Sequence, residues 1–338
     1  MKILVIQTAF VGDVLLSIPS LLRLKSLYPH SELTLLCRKG LSEIFRELKL
    51  ADIVIELNKR DKSEFKKTFS LLKKTQYDLL ICPHQSYRSA LMALQIPAKQ
   101  KIGFKVWWNF FIFDKSTPRV WKTPDALRQL GLIGLVDTET KMKVDSYSGK
   151  IPSIGKMGIR ERIVKHPRYQ SIIDKFNLPK GAVFISPGSV WNTKRWTKSG
   201  FKNLARKFTE PVIFIGSPDE RDLCTEIATD VPNTINIAGQ TSLFELLVLM
   251  TTGKFLISND SGAMHLGSVS ELPTVAIFGP TVLSLGYQPW QERATVVENK
   301  GLKCRPCGLH GHKKCPIGTH ECMTSITSEE VFDALKGL

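Results

Sequence analysis

The stretch that decides the fold reads KFLISNDSGAMH and occupies residues 254–265. It begins with an apolar run of the length of a buried strand and ends in small and polar residues that favour the start of a helix. Four comparable stretches lie in the same half of the chain: AVFISPGS at 182–189, PVIFIGSPDE at 211–220, TINIAGQTSL at 234–243 and PTVAIFGPT at 273–281. Such an alternation of strands and helix-forming residues is typical of a parallel sheet covered by helices.

The N-terminal half shows the same alternation. The opening KILVIQTAF at residues 2–10 is a predicted strand, and Gly12 and Asp13 form a loop before leucines at near-helical spacing. Further predicted strands lie at residues 32–37, 52–57, 77–82 and 99–104. The predicted fold class is therefore α/β, with a Rossmann-like sheet in each half of the chain.

A chain of 338 residues is long enough for two domains. Weak strand signals between residues 137 and 179 place the domain connection near residues 167–180, although the spacing at 163–176 also suits a helix. We therefore predict an N-terminal domain of residues 1–170 and a C-terminal domain of residues 171–338, which ends in a helix with Ser328 as its N-cap. Right-handed crossovers bring the loops to the carboxyl edge of each sheet, where doubly wound folds bind ligands.

The formal net charge of +16 lies entirely in the first half of the chain. Residues 1–180 hold 32 Lys and Arg against 16 Asp and Glu, whereas residues 181–338 hold 15 of each. This asymmetry predicts contact with a polyanion, such as nucleic acid, an anionic membrane surface or a phosphorylated macromolecule; the alternative is a solubilising face. Apolar runs fall short of the ~18 residues of a membrane span. Because the N-terminus also lacks signal-peptide features, we expect a cytoplasmic protein.

The loop SPGSVWNTKRW at residues 186–196 follows a predicted strand and is rich in hydroxyl groups and cations. Ser189 and Lys194 supply the hydrogen-bond donors and the positive charge that a pyrophosphate needs. The loop is not a P-loop, because the GxxxxGK[ST] pattern is absent from it. The alternative is that Lys194 and Arg195 form a solvated pair.

The loop that follows the strand in KFLISNDSGAMH combines an anion site with a carboxylate. Ser261 and Gly262 present backbone amides at a helix N-terminus, where anions bind. Asp260 is placed to accept hydrogen bonds from sugar hydroxyls, and His265 lies one turn further on. The alternative is that Asp260 caps the helix and His265 is an interior histidine.

Two further carboxylates follow strand ends. Glu220 is placed to accept both ribose hydroxyls of a nucleotide, unless it only pairs with a helix dipole. Asp13 lies in the first loop of the N-terminal sheet, where a lone carboxylate suits a general base and a helix cap is the alternative.

Together these stretches resemble glycosyltransferase family nine, the lipopolysaccharide heptosyltransferases, in their order and spacing. The resemblance rests on KILVI and VGD near the N-terminus, then SPGS, KRW, GSPDE, SNDSGAMH and PTVAIFGPT. The Val-Gly-Asp form and the cysteine-containing tail are more similar to the heptosyltransferase II branch than to heptosyltransferase I. The resemblance implies a GT-B fold, in which two Rossmann-like doubly wound domains face a central cleft. The acceptor would bind the N-terminal domain and the nucleotide sugar the C-terminal domain.

The resemblance also implies roles for individual residues. Asp13 matches the family's catalytic base, Lys194 its phosphate-contacting lysine and Glu220 its ribose ligand. Asp260 matches the residue that holds the donor sugar. The other matched residues contact phosphate, sugar or adenine: Ser189, Thr241, Ser242, Leu243, Ser261, Gly262 and His265.

The activity implied by the resemblance is an inverting transfer of L-glycero-D-manno-heptose from ADP-heptose to the lipopolysaccharide inner core, with no cofactor required for catalysis. Direct displacement needs one base, because ADP leaves without a general acid once its charge is met. The Asp-x-Asp motif of metal-dependent sugar transferases is absent from the sequence. The alternative is another nucleotide-sugar transferase, epimerase or hydrolase of the same fold. A nucleic-acid-binding protein would leave the ligand-like loops unexplained, so we expect no nucleic acid partner.

A lipid A-core acceptor is polyanionic and lies at the cytoplasmic face of the inner membrane, which suits the basic N-terminal half and predicts peripheral membrane association. Lys99, Lys101 and Lys105 border the aromatic segment 104–113. Cations beside Trp and Phe suit a membrane surface. The alternative is an aromatic segment buried in the core. A second basic cluster comprises Lys59, Arg60, Lys62, Lys66 and Lys67.

Four of the seven cysteines form the pattern C-x2-C-x7-C-x6-C near the C-terminus. In a reducing compartment such a cluster is more often a metal site than a pair of disulfides. We therefore predict a structural zinc ion without a catalytic role, with free thiols as the alternative. The predicted ligands are Cys304, Cys307, Cys315 and Cys322.

Overall fold

The computed structural model describes residues 1–147 and 155–338. The chain forms two compact units, Met1–Lys150 and Ile151–Leu338. The strands of the first unit are β1 (Lys2–Gln7), β2 (Glu32–Arg38), β3 (Ile53–Leu57), β4 (Tyr77–Cys82), β5 (Ala98–Lys105) and β6 (Lys115–Pro118). Its helices are α1 (Val11–Leu15), α2 (Ile18–Leu27), α3 (Ser42–Glu47), α4 (Lys62–Lys73), α5 (Tyr87–Gln95), α6 (Asp125–Ile133) and α7 (Thr138–Asp145).

The second unit repeats this alternation. Its strands are β7 (Val183–Ser186), β8 (Val212–Phe214), β9 (Thr234–Asn236), β10 (Phe255–Asn259), β11 (Thr274–Phe278) and β12 (Ala294–Glu298). Its helices are α8 (Ile159–Val164), α9 (Tyr169–Phe176), α10 (Lys198–Ala205), α11 (Arg221–Ala228), α12 (Leu243–Met250), α13 (Gly262–Ser270), α14 (Glu321–Thr324) and α15 (Ser328–Asp333).

Each unit contains a six-stranded parallel sheet with the doubly wound strand order. The first sheet runs β3-β2-β1-β4-β5-β6 and the second β9-β8-β7-β10-β11-β12. In such a sheet the winding reverses beside the first strand and leaves a crevice at the carboxyl edge. The crevices lie between β1 and β4 in the first unit and between β7 and β10 in the second. The two Rossmann-like sheets predicted from the sequence are confirmed.

The central strands are apolar because helices cover both faces of the sheet. Ile3, Leu4 and Ile6 of β1 are fully buried, and so are Val183 and Ile185 of β7. Burial of consecutive residues on both faces is what made these strands recognisable as continuous apolar runs.

Of the four edge strands of the two sheets, β6 and β12 were not predicted. Each pairs with a neighbour on one side only. The sequence of β6 reads KSTP and that of β12 reads ATVVE, and none of these nine positions is fully buried. A strand at a sheet edge needs little apolar surface, so its sequence carries a weak signal.

The division between the units lies 20 residues before the predicted boundary at 170/171. Helices α8 and α9 pack against α12 and α13 and so belong to the second unit. The ring of His166, between α8 and α9, lies 4.7 Å from that of Phe244 on α12. The polar sequence that suggested a linker at 167–180 therefore belongs to a helix that covers the second sheet.

The C-terminal helix was predicted correctly, but its N-cap was wrong. Thr327, not Ser328, is the N-cap of α15, because its hydroxyl accepts from the backbone N–H of Glu330. The carboxylate of Glu330 accepts in return from the backbone N–H of Thr327 over 2.7 Å. This reciprocal capping box requires Glu at the third helical position, which is the correct spacing from Thr327 and not from Ser328.

Candidate functional site

A buried ion pair spans the crevice of the second sheet. Lys194 lies in the loop after β7 and Asp260 in the loop after β10, and Lys194 Nζ is 2.6 Å from Asp260 Oδ2. The side chains are only 13% and 6% exposed. Thr281, after β11, donates its hydroxyl to the same carboxylate oxygen over 2.6 Å. Three neighbouring strands thus contribute to one polar centre, and the alternative of Lys194 as a solvated cation is excluded.

Asn259, the last residue of β10, fixes the loop after β7, which carries Lys194. Its side-chain amide donates to the carbonyl oxygen of Pro187 over 2.8 Å, and its Oδ1 accepts from the backbone N–H of Trp196 over 3.0 Å. Both partners lie in the loop after β7. Asn259 was assigned no role from the sequence, although it lies at the end of a predicted strand. Since Asn259 is fully buried, these bonds hold the loop that carries Lys194.

The N-terminus of α13 begins directly after Asp260. Ser261 is the N-cap in extended conformation, and its hydroxyl lies 3.2 Å from that of Ser258 rather than capping the helix. Gly262 is the first helical residue, and His265, one turn further, is buried. Because Asp260 pairs with Lys194, it does not cap α13. The first amides of the helix therefore lie beside the ion pair, as an anion site requires.

Glu220 reaches back from the loop after β8 to the loop after β7. Its Oε2 accepts from the backbone N–H of Ser217 over 2.8 Å within a capping box. The carboxylate therefore stabilises the start of a helical turn, which is part of the alternative role considered for Glu220. A Cβ built on Gly188 would lie 1.9 Å from Glu220 Oε1. Glycine at 188 thus lets the Glu220 carboxylate approach the backbone of the β7 loop. Ser189, the next residue, is buried, and its carbonyl oxygen accepts from Arg195 Nε over 2.9 Å.

The segment after β9 forms the start of α12. Ser242 is its N-cap, and the hydroxyl accepts from the backbone N–H of Glu245 over 3.2 Å. Thr241, Ser242 and Leu243 are half-buried. The segment lies at the same carboxyl edge as Glu220, because β8 and β9 are parallel neighbours.

In the first unit, Asp13 lies in the first turn of α1, directly after β1. The N-cap of this helix is Phe10, so the interpretation of Asp13 as the cap is wrong. The side-chain amide of Gln129, on α6, donates to the backbone carbonyl oxygen of Asp13 over 3.0 Å. Asp13 is half-buried and lies beside the crevice between β1 and β4.

A polar cluster that the sequence analysis missed lines the same crevice. His84, after β4, lies 3.1 Å from the hydroxyl of Thr8 and 2.9 Å from that of Ser89 through its Nδ1. Burial, together with the charges of Lys59 and Arg119, lowers the pKa of His84 to about 3, so the ring is neutral at pH 7. The available signal was the position of Thr8 and His84 at the ends of the two central strands.

Lys59 follows β3 and reaches the same cluster. Its Nζ donates to the carbonyl oxygen of Thr8 over 2.6 Å. Burial and the neighbouring charges of Arg88 and Arg38 lower the pKa of Lys59 to about 8. A cation held close to other cations favours an anionic ligand, because an anion relieves their mutual repulsion.

The aromatic segment is split between core and solvent. We call residues 106–113 the aromatic loop. Ile112 and Phe113 are buried, whereas Trp107, Phe110 and Phe111 are 87%, 73% and 62% exposed. The alternative of a buried segment therefore holds for the two ends of the predicted segment 104–113, where Phe104 and Phe113 are buried, and not for its middle. No helix in the described ranges 1–147 and 155–338 has the length and apolar character to cross a bilayer.

The four C-terminal cysteines lie in one segment packed against the Lys194 loop. Cys304, Cys307 and Cys315 are half-buried and Cys322 is buried. Burial and the neighbouring cysteines raise the pKa of the Cys322 thiol to about 11, while the backbone N–H of His320 lowers that of Cys315. Among the described residues, no three His, Cys, Asp or Glu side chains form a metal-binding group. The thiols of the described structure are thus not arranged as a ligand set, and zinc stays a prediction.

The chain is similar to known glycosyltransferases in both sequence and structure. The profile of glycosyltransferase family 9 (heptosyltransferase) matches residues 156–317. Lipooligosaccharide heptosyltransferase 2 of Campylobacter jejuni is 26% identical over all of this chain and 99% of its own length. Lipopolysaccharide heptosyltransferase 2 of Escherichia coli is 23% identical over all of this chain and 98% of its own. The structure of Escherichia coli ADP-heptose heptosyltransferase II superposes with a TM-score of 0.76 and 20% identity, covering 99% of this chain and 98% of that one.

Proposed function

We propose that this chain, whose residues 156–317 form a glycosyltransferase family 9 domain on a GT-B fold, is a heptosyltransferase that moves a heptose from ADP-heptose to the lipopolysaccharide inner core. The observation that carries the proposal is the buried Lys194–Asp260 pair beside the N-terminus of α13. It combines a cation, a carboxylate and free amides at the crevice where doubly wound sheets bind nucleotides. The named relatives support the second heptose addition, since both are called heptosyltransferase 2.

The donor would bind along the carboxyl edge of the second sheet. Lys194 and the amides of Ser261 and Gly262 meet the diphosphate, because cations and helix N-termini both stabilise phosphate. Glu220 accepts the ribose hydroxyls, and Asp260 accepts hydroxyls of the heptose. The other proposed contacts are Ser189, Thr241, Ser242, Leu243 and His265.

The transfer itself is a direct displacement. Asp13 takes the proton from the acceptor hydroxyl while the oxygen of that hydroxyl forms a bond to the anomeric carbon, and the bond from that carbon to the ADP oxygen breaks. The electron pair stays on the diphosphate, where Lys194 and the α13 amides stabilise it. Attack opposite to the leaving group inverts the configuration. Since one base completes the proton balance, no second carboxylate is needed, unlike in glycosidases.

The acceptor would bind the first unit. The charge excess of residues 1–180 and the cationic environment of Lys59 favour a polyanionic lipid A-core acceptor. We place the reaction at the cytoplasmic face of the inner membrane, with the protein bound peripherally. Catalysis needs no metal in this scheme, and any zinc at the C-terminal cysteines serves the structure only.

Purified protein should be incubated in EDTA with ADP-heptose and a panel of truncated lipopolysaccharide acceptors, and both ADP release and acceptor mass followed. A heptose-sized mass gain on the acceptor that already carries one heptose supports the proposal. Release of ADP without a mass gain would indicate a hydrolase, and turnover that needs no acceptor would indicate an epimerase. Transfer that requires a divalent metal would contradict the scheme above.

A further inference from the structure

Hydrogen bonds and side-chain packing hold the aromatic loop in a defined conformation. Asn109 is buried at its centre, where its Oδ1 accepts from the backbone N–H of Val106 and its Nδ2 donates to the carbonyl oxygen of Phe104, both over 2.9 Å. The ring of Phe113 packs so closely on Gly103 that a Cβ there would lie 2.4 Å from it. These contacts fix both ends of the loop to β5.

This anchoring leaves three large aromatic side chains in solvent. Trp107, Phe110 and Phe111 are each more than three-fifths exposed, and the rings of Phe110 and Phe111 lie edge to face at 5.3 Å. Soluble proteins rarely expose such groups together, because each loses favourable apolar burial. An exposed aromatic cluster on a fixed loop therefore indicates a contact surface.

Neighbouring loops extend the apolar character along the same sheet edge. Val120 and Trp121, after β6, are exposed, and so is Tyr87, which follows β4 and lies 5.4 Å from the ring of Trp108. Strands β4, β5 and β6 are adjacent and parallel, so their following loops leave from one edge. This edge of the sheet therefore carries exposed aromatic and aliphatic side chains on several neighbouring loops.

The charge of this region identifies the partner. Residues 84–124 contain seven Lys and Arg and only one acidic residue, Asp114. Five of the seven are exposed, and of these Lys105 and Lys122 lie within two residues of Trp107 and Trp121 in the chain. Trp and Phe favour the membrane interface, and each cation near an anionic surface adds attraction. A neutral or basic protein surface would gain no electrostatic attraction from this excess of positive charge.

We propose that the aromatic loop is a membrane anchor, which inserts Trp107, Phe110 and Phe111 into the interfacial layer of an anionic bilayer while Lys105 and Lys122 contact the lipid phosphates. The anchor rests on the proposed function for its purpose, since a lipid-linked acceptor is presented at a membrane surface. Asp13 follows β1 of the same parallel sheet and therefore leaves from the edge that carries the anchor. The anchor thus brings the proposed base to the surface where the acceptor lies.

The test measures binding of the full chain to extruded vesicles of phosphatidylcholine alone and of phosphatidylcholine with phosphatidylglycerol. We expect binding to the anionic vesicles, and about a tenfold or greater loss of affinity in the triple variant Trp107→Ser, Phe110→Ser, Phe111→Ser. The double variant Lys105→Gln, Lys122→Gln should bind the anionic vesicles more weakly than the parent protein. This difference in affinity should shrink as the salt concentration rises. In vesicles with brominated acyl chains, tryptophan fluorescence should be quenched, and Trp107→Phe should lose most of this quenching.

Leu71→Ser supplies the matched control, because Leu71 is an exposed apolar residue on α4 of the same unit but lies outside the aromatic loop. It should bind vesicles like the parent protein. Thermal unfolding of every variant verifies that the fold is retained. Because the substituted side chains are exposed, we expect the melting temperature to change little.

Equal binding of the parent and the triple variant to anionic vesicles would overturn the anchor. So would self-association of the parent protein that the triple variant abolishes, without vesicle binding, since this would assign the loop to a second copy of the chain. Transfer to a deacylated acceptor in vesicle-free buffer separates the two proposals. Activity there without vesicle binding removes only the anchor, whereas vesicle binding without any transfer removes only the proposed function.

Discussion

Gln129 holds the turn that carries Asp13. The Gln129 side-chain nitrogen lies 3.0 Å from the Asp13 carbonyl oxygen and 2.8 Å from Asp125 Oδ2, and the Gln129 Oε1 accepts from Gln7 Nε2 over 3.2 Å. Asp125 is in turn paired with Arg119, and all members except Arg119 and Asp13 are fully buried. Because α1 has only five residues and no side-chain cap, we infer that this network from α6 helps to hold its first turn in place.

We predict that Gln129→Leu lowers kcat by about tenfold or more and leaves the KM for ADP-heptose unchanged. Leucine fills the space but cannot donate, so the carbonyl oxygen of Asp13 loses its support and the carboxylate loses its alignment with the acceptor hydroxyl. The free energy of unfolding should also fall by about 1–3 kcal/mol. Steady-state kinetics with varied donor and a denaturant titration measure the two effects.

Thr34→Val is the control for stability, since the side chain of Thr34 is buried in the same unit and hydrogen-bonds Tyr77. It should destabilise the fold by a comparable amount without changing kcat. An equal loss of kcat in both variants would show that Gln129 acts on stability alone.

The strands of the crevices were predictable because buried parallel strands produce continuous apolar runs. The edge strands β6 and β12 were not, since half-exposed strands such as KSTP do not differ from loops in composition. The boundary between the units was misplaced for a related reason. The spacing at 163–176 suits a helix, but the unit to which this helix belongs depends on its packing against α12, which is distant in the sequence.

For the site residues, too, the positions in the chain were predictable, whereas the contacts between them were not. Lys194 and Asp260 were recognisable because they follow strand ends within distinctive stretches. Their direct pairing was not, since 66 residues separate them and only the parallel arrangement of β7 and β10 brings them together. Asn259 and Gln129 act through hydrogen bonds to backbone groups, and an isolated amide in a sequence does not indicate its partner.

Asp13→Asn should reduce transfer by about 10²- to 10⁴-fold, because asparagine cannot take the proton from the acceptor hydroxyl. Binding of ADP, measured by titration calorimetry, should remain within about twofold of the parent, since the proposed donor contacts lie in the second unit. Loss of both transfer and ADP binding would point to a structural role for Asp13. Retention of both would exclude it as the base.

Gly188→Ala should weaken ADP binding by about tenfold, because the added methyl group meets the Glu220 carboxylate and displaces it from the proposed ribose position. Glu220→Gln, which keeps the shape but removes the charge, should weaken binding as well. Calorimetric titration with ADP measures both.

The control for an added methyl group is Gly337→Ala, because a Cβ at Gly337 meets nothing within 4 Å. The double variant Gly188→Ala, Glu220→Ala should bind ADP no more weakly than Glu220→Ala alone, since the two changes then act through one side chain. Fully additive losses would instead assign the effect of Gly188 to its own loop.

The affinity for the anionic acceptor should depend on pH through Lys59. Burial and neighbouring arginines lower the pKa of Lys59 to about 8, so the cation is present at pH 7 and is lost as the pH rises through this value. We expect the KM for the acceptor to rise severalfold from about pH 7 to about pH 9. Lys59→Arg should shift this rise beyond the measured range, because arginine stays protonated. Lys66→Ala, a change in an exposed cation on α4, should retain the parent profile, and an unchanged KM in the parent would remove Lys59 from acceptor binding.

The cysteine-rich segment contacts the residue that precedes Lys194. The hydroxyl of Thr193 donates to the carbonyl oxygen of His312 over 2.9 Å, and its backbone N–H donates to the same oxygen over 3.1 Å. His320 Nε2 donates to the carbonyl oxygen of Thr193 over 2.8 Å. These hydrogen bonds join the segment 304–322 to the loop that carries Lys194, although no cysteine is among the proposed donor contacts.

We therefore predict that Thr193→Val and the pair Cys304→Ser, Cys307→Ser both raise the KM for ADP-heptose severalfold, with a smaller effect on kcat, because each loosens the loop that positions Lys194. Combining the three changes should add little to either, since they interrupt one chain of contacts. If the predicted zinc is present, elemental analysis finds one equivalent in the parent and none in the Cys304→Ser, Cys307→Ser protein. Cys224→Ala, a buried cysteine outside the segment, is the control and should leave the KM unchanged. A KM that responds to Thr193→Val but not to the cysteine changes would confine the support to His312 and His320, and a zinc-free parent would leave the four thiols as packing groups.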